Sequence, residues 1–302
     1  MSEDRFARVG PIEIAYRLYG PEDGVSLLLV GGIDTTLVTW DPAMIEMLTE
    51  RGFRVLVADN RDSGLSTQLS GQRVGRLSFL ARSLKGQLGK LGPAEVGYTL
   101  TDMATDLVGL LRTVGMSNVH LVGHSMGGML AQEIAIAAPE LVESLTCISA
   151  SSGETGVGKP TPKAAILVAK ATGSDVESAI EGLTRKYVFT GGPEADPTYA
   201  RERAEISLRR ANTPDGRLRR LLAVAATPNR VAALEQLPMP VVILHGALDP
   251  SIQVDGGRRL AELPPQAEYY EVPRMGHELI PPFFPDVVEA IERARALSID
   301  PE

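Results

Sequence analysis

Gly123-His124-Ser125-Met126-Gly127 sets a serine between two glycines, each two residues away, after the apolar run Val119–Val122 and before a helical pattern. This is the G-x-S-x-G spacing of a serine held on a sharp strand-to-helix turn. A hydroxyl projected from such a turn stands clear of its own backbone. The flanking glycines leave room for the neighbouring strand and helix. The helix N-terminus behind the serine favours developing negative charge. The bare pentapeptide also arises by chance in Gly-rich turns; the preceding buried strand and the partners downstream separate this one from that background.

A serine hydroxyl needs a base, and the chain has only His120, His124, His245 and His277. His120 lies within a strand pattern and reads as packed. His124 adjoins the serine, but consecutive residues of such a turn point different ways. His245 ends a buried strand, where packing or a local bond is expected. His277, in the loop Pro273-Arg274-Met275-Gly276-His277-Glu278 after the strand-like Glu268–Val272, is the expected base. An imidazole in this role needs a carboxylate to fix its tautomer. Asp249 follows strand 241–244; Asp255 is its rival, and a cap for residues 251–262 is the alternative reading of Asp249. Oxyanion donors are expected at the backbone N–H of Met126 and of Ile33, where Gly31 and Gly32 permit close backbone approach. Gly32, Trp40 and His124 are candidates for a substrate pocket; for Trp40, packing against the first helix is an equal alternative. Cys147, in a buried strand, reads as a small core residue rather than a second nucleophile.

These side chains need elements to hold them. Residues 27–30, 54–58, 119–122, 145–148 and 241–244 are short continuous apolar runs, as in strands buried on both faces of a parallel sheet. Ile12–Leu18 alternates and reads as a half-exposed strand. Helical patterns cover 41–51, with Asp41 as N-cap and Pro42 in the first turn, then 101–114, 126–138 and 283–297. Alternation of strands with helices predicts an α/β fold with a mostly parallel sheet flanked by helices.

Two segments interrupt the alternation. Within 70–96, Leu77, Leu80, Leu84, Leu88 and Leu91 recur at helical spacing among Arg73, Arg76, Arg82, Lys85 and Lys90, a basic amphipathic helix weakened by Gly86 and Gly89. It reads either as a mobile flap over an apolar mouth, attracting anionic or lipid-surface substrates, or as a helix packed on the second segment. That second segment, 151–236, has no buried-strand signature and is expected to be a mainly helical cap. Residues 1–150 and 237–302 then form one catalytic domain, because Ser125 precedes the insertion while Asp249 and His277 follow it.

Net charge is -8, which argues against a nucleic-acid partner. Residues 71–94 and 151–236 carry 18 Lys/Arg against 10 Asp/Glu; the remainder carries 12 against 28. The positive part maps onto the expected covering segments and keeps anionic small substrates in play. With 302 residues, 44% hydrophobic and 23% charged, the composition is that of a globular protein. One cysteine excludes an internal disulfide. The acidic start and the lack of a long apolar run predict a cytoplasmic protein without a transmembrane segment. No clustered ligand set and no G-x-G-x-x-G occurs, so neither metal nor organic cofactor is expected. Monomer and homodimer are both compatible with this size.

With these residues in place the chain resembles the α/β-hydrolases over nearly all its length except the cap. The order Ser125, Asp249, His277 is the nucleophile–acid–base order of that family. Asp59-Asn60-Arg61-Asp62-Ser63-Gly64-Leu65-Ser66 is similar to the D-x-R-x-x-G-x-S segment after the family's fourth strand. It reads as a structural turn in which Arg61 bridges carboxylates or carbonyls; a substrate role for Arg61 is the alternative. The chain departs from the family at Gly31, where His is usual. The Gly-Gly loop with Trp40, the Asp59–Ser66 segment and Met275-Gly276-His277 together resemble aclacinomycin methylesterase-like proteins. The resemblance implies a serine esterase acting on a small-molecule ester, including a methyl ester on a polyketide. Same-fold dehalogenases and epoxide hydrolases carry Asp where Ser125 stands. Thioesterase, acyltransferase, carbon–carbon bond hydrolase and perhydrolase chemistries stay open, as does a non-hydrolytic small-molecule receptor.

Overall fold

The computed structural model describes residues 3–69, 75–87, 89–171 and 175–299. The chain opens with the strands β1 (Arg5–Val9), β2 (Ile12–Tyr19) and β3 (Val25–Val30). Then come α1 (Pro42–Glu50), β4 (Phe53–Ala58), α2 (Arg76–Gln87), α3 (Leu100–Thr113), β5 (Val119–His124), α4 (Met126–Ala137) and β6 (Val142–Ile148). Among the described residues, five helices follow without an intervening strand: α5 (Pro162–Lys170), α6 (Val176–Thr190), α7 (Pro197–Arg210), α8 (Pro214–Ala226) and the short α9 (Val231–Leu234). The chain then returns through β7 (Val241–Gly246), α10 (Asp255–Ala261), β8 (Ala267–Val272) and α11 (Phe284–Ile299).

The eight strands form one sheet in the order β1-β2-β4-β3-β5-β6-β7-β8. β2 is antiparallel to both neighbours, and every pairing from β4 to β8 is parallel. Every residue of β5 and β7 is buried, because helices cover both faces. Successive strand side chains point to opposite faces. Leu28 and Leu121 therefore join α3 and α4 in one apolar layer, while Leu27, Leu29 and Val122 join α1 and α11 in the other. Asp41 caps α1 by accepting the Ala43 N–H at 2.9 Å, with Pro42 in the first turn. The strand β1 was not among the expected elements. It is a short edge strand with charged, exposed positions, and it owes its place to pairing with β2.

Of the basic segment, Arg73 and Leu88 lie outside the described residues, as do the side chains of Arg76, Leu77 and Leu80. Part of it packs on α8: Phe79 and Leu91 meet Leu222 and Ala226, and Gly86 lies against Ala225, while Leu84 is exposed. The two ends of the inserted helices close on each other. The Arg230 N–H donates to the Ser152 carbonyl at 2.9 Å, and the Arg230 guanidinium reaches Gln132, Glu133 and the Ser151 carbonyl. No helix among the described residues is long and apolar enough to cross a membrane.

Candidate active site

Ser125 lies between the last residue of β5 and the first of α4, at φ 59° and ψ -124°. A non-glycine residue held in this region is strained by roughly 1–3 kcal/mol, so the surroundings must enforce it. They do so by close packing. A Cβ on Gly123 would collide with the Gly127 carbonyl, and one on Gly127 would collide with the Val30 carbonyl at the end of β3. Glycine at both positions is therefore a condition for the turn. Gly32 lies beside it, with its hypothetical Cβ 3.2 Å from that of Ser125. The chain leaves β5, reverses at Ser125 and enters α4, whose first amides, Met126 among them, have no intrahelical acceptor. Among the hydrogen bonds of the described residues, none uses the Ile33 N–H as donor. Its carbonyl accepts from Arg220 at 2.9 Å.

The structure brings Ser125, His277 and Asp249 into one chain of hydrogen bonds. His277 Nε2 lies 2.9 Å from Ser125 Oγ, and His277 Nδ1 lies 2.7 Å from Asp249 Oδ2. Burial opposes ionisation of Asp249, but its interaction with His277 outweighs it and holds the carboxyl below its ordinary range. An ionised carboxylate only accepts, so Nδ1 carries the proton and Nε2 is left to accept from the serine hydroxyl. The other oxygen, Asp249 Oδ1, accepts the N–H groups of Ser251 at 2.7 Å and Ile252 at 3.0 Å. Oδ2 thus faces His277 while Oδ1 caps a turn, and the helix α10 starts later, at Asp255, without Asp249 as its cap. The rival Asp255 instead accepts the Gly158 N–H at 3.3 Å.

Burial disfavours the charged form of the other three histidines. His120 bonds Ser144 at 2.7 Å, and burial lowers its pKa to about 4. His245 donates from Nε2 to the Ile252 carbonyl at 2.8 Å. His124 donates from Nε2 to the His277 carbonyl at 2.6 Å; burial and then the neighbouring His277 lower it to about 4. Cys147 is fully buried, and burial pushes its thiol up to about 12, far from a reactive thiolate. Trp40 and His124 line an open cleft together with Tyr187, Tyr199, Arg203, Glu278 and Leu279. Trp40 also belongs to the apolar layer beside α1, so its two readings coincide. Gly32 is not part of that lining. No described residue of α2 lines this cleft.

Several cations of the inserted helices pair with carboxylates of the rest of the chain, while Arg203 lines the cleft. Lys186 bonds Glu278, Arg210 bonds Asp4 and Asp59, Arg217 bonds Asp34, and Arg219 bonds Asp62. These four cations are thus paired with carboxylates outside the inserted helices. Arg61 likewise forms a two-pronged pair with Asp106, at 2.5 and 2.7 Å, as expected of a structural bridge. Sequence reasoning missed Asp34 and Glu278, although each directly follows a singled-out residue. It also missed Lys186, for which no sequence signal exists.

The family model for the alpha/beta hydrolase fold matches residues 25–282. Rhodomycin D methylesterase DauP from Streptomyces sp. strain C5 is 26% identical over 281 residues, 86% of each chain. A protein named as a carbamate hydrolase, RutD, from Variovorax paradoxus is 30% identical over 137 residues, 45% of this chain and 42% of that protein. Among solved structures, a hydrolase from Pseudomonas aeruginosa PA01 superposes with a TM-score of 0.69 at 25% identity, covering 98% of each chain. The eight-stranded order, the strained serine turn and these similarities lead to one statement: the chain belongs to the α/β-hydrolase fold family.

Proposed function

We propose that the protein is a serine esterase that cleaves a small-molecule carboxylic ester through an acyl-enzyme. The observation that carries this reading is the continuous hydrogen-bonded chain from Ser125 through His277 to Asp249. Ser125 Oγ attacks the ester carbonyl as His277 Nε2 takes its proton. Asp249 stabilises the imidazolium through Nδ1–H. The N–H groups of Ile33 and Met126 receive the oxyanion. His277 then protonates the departing alcohol, activates water for attack on the acyl-enzyme, and returns a proton to Ser125. Residues 151–236 act as the cap over this site, and the cleft beside Trp40 and His124 receives part of the substrate. The similarity to a rhodomycin D methylesterase over 86% of both chains supports a methyl ester as the bond cleaved.

The reading is tested by p-nitrophenyl ester turnover, fluorophosphonate labelling and Ser125→Ala. The expected result is labelling at Ser125 and a loss of roughly 10⁴-fold or more in kcat for the variant. Full turnover in Ser125→Ala would remove the serine from the mechanism. Ligand binding without any turnover by the wild type would favour a receptor.

A further inference from the structure

We propose that Lys186 is a positioning residue for this reaction, a buried cation that ties the loop carrying Ile33 to the loop carrying His277. The proposal rests on the esterase reading above and extends it into the inserted helices. Lys186 Nζ lies 2.7 Å from Glu278 Oε1 and 3.5 Å from Asp34 Oδ2, with only 8% of its side chain exposed. Glu278 directly follows His277, and Asp34 directly follows Ile33. One ammonium thus bridges the immediate neighbours of the proposed base and of a proposed oxyanion donor.

Two further residues on the same face of α6 make the same pair of contacts. The Tyr187 hydroxyl donates to the Asp34 carbonyl at 3.1 Å. The Thr190 hydroxyl donates to Glu278 at 2.6 Å, and the Thr190 carbonyl accepts the His277 N–H at 2.6 Å. Contact between α6 and the histidine loop is close enough that a Cβ on Gly276 would collide with the Thr190 carbonyl and lie 2.6 Å from the Gly191 carbonyl carbon.

Burial disfavours charge on Lys186, yet Glu278 and Asp34 outweigh it and raise the ammonium above its ordinary range. Burial likewise opposes the Glu278 carboxylate, and Lys186 leads the groups that hold it below its ordinary range. All three groups therefore stay charged across neutral pH. A buried ion cluster is a weak source of net stability, but its directionality fixes geometry. Oxyanion donors and base must hold one arrangement relative to the reacting carbonyl, and displacement of about 1 Å costs on the order of 100-fold in rate.

The test compares Lys186→Met, Lys186→Arg and the double variant Lys186→Met/Glu278→Gln with wild type. The double variant removes both charges of the 2.7 Å pair and keeps the question answerable should Lys186→Met not fold. Turnover of a p-nitrophenyl ester is corrected for active sites by fluorophosphonate titration, and thermal melting checks folding. The expected result is a loss of roughly 10- to 100-fold in kcat, with KM within about threefold, in the folded Met variants. Lys186→Arg, which keeps the cation, should recover most of the loss. A folded Lys186→Met or double variant with kcat within about twofold of wild type would overturn the role. Equal losses in the Arg and Met variants would overturn it too, by showing that packing and not charge is responsible. A wild type with neither turnover nor Ser125 labelling would overturn the esterase reading and the Lys186 role together. An active, labelled wild type beside unimpaired variants would overturn the Lys186 role alone.

Discussion

The sheet and the inserted helices are joined to their surroundings by opposite means. Along the sheet, Leu27, Leu28, Leu121, Val122, Ile243 and Leu244 pack against helices through apolar side chains that are fully buried or nearly so. Between the sheet's loops and α6–α8, the contacts are charged: Lys186 with Glu278, Arg210 with Asp59, Arg217 with Asp34 and Arg219 with Asp62. Apolar burial is non-directional and stabilises in proportion to area, at about 25 cal/mol per Å². Ion pairs carry a large desolvation cost and hold only in one geometry. The sheet therefore supplies stability, and the charged pairs fix how the inserted helices meet the sheet's loops. Part of the positive charge of 151–236 meets negative charge of the remainder across this contact.

Arg219→Met breaks this comparison most directly. Asp62 accepts from Arg219 at 2.7 Å on both oxygens and is fully buried, so its carboxylate would be left without its main partner. The expected cost in urea unfolding is about 3–5 kcal/mol. Arg219→Met/Asp62→Asn should recover more than half of it, because the stranded charge is gone. A single-variant cost below about 1 kcal/mol would show that docking of the helices does not depend on ions.

Lowering the pH should separate the two regions. His120 and His124 are held neutral by burial, with pKa values lowered to about 4. Between the ordinary histidine value of 6.5 and about 4 the unfolded chain binds protons that the folded chain refuses, so stability falls as pH falls through that window. For Asp62 and Glu278, burial favours the neutral acid, but their cationic partners outweigh it and hold both below their ordinary values. Their contribution is complete above those values and is lost only in stronger acid. Urea unfolding from pH 7.5 to 4 should show the histidine loss first, and His120→Gln should flatten part of it. A profile flat down to pH 4.5 would contradict the neutral histidines.

The smallest effect is expected outside both regions. Arg112 and Glu140 pair at 3.1 Å with 61% of each side chain exposed. Arg112→Ala should change stability by no more than about 0.5 kcal/mol, since solvent screens the pair. A larger change would mean that ion pairs stabilise this protein wherever they occur, and the contrast between buried and exposed pairs would lose its meaning.

Much of the site was legible because its chemistry is local. The G-x-S-x-G turn needs glycine at 123 and 127 for steric reasons that follow from the turn itself, and both sites are as tight as that requires. Asp249 and His277 stood out in the sequence because each follows a strand pattern and stands in the order expected after Ser125. Strand β1 was missed because five partly charged residues carry no periodic signal until β2 offers them a partner. The charge asymmetry was visible, but counting charges along a chain does not reveal whether a cation faces solvent or a carboxylate 2.7 Å away.

By itself, the sequence determined the α/β alternation, the serine turn and the residues able to serve it, because hydrophobic periodicity and glycine sterics act over a few neighbouring residues. Only the tertiary structure decided which oxygen of Asp249 meets His277 and where the cations of the inserted helices end. It alone set Lys186 between Asp34 and Glu278, residues 152 and 92 positions away. Partnerships over such separations depend on how helices dock across a sheet, and no local pattern encodes them.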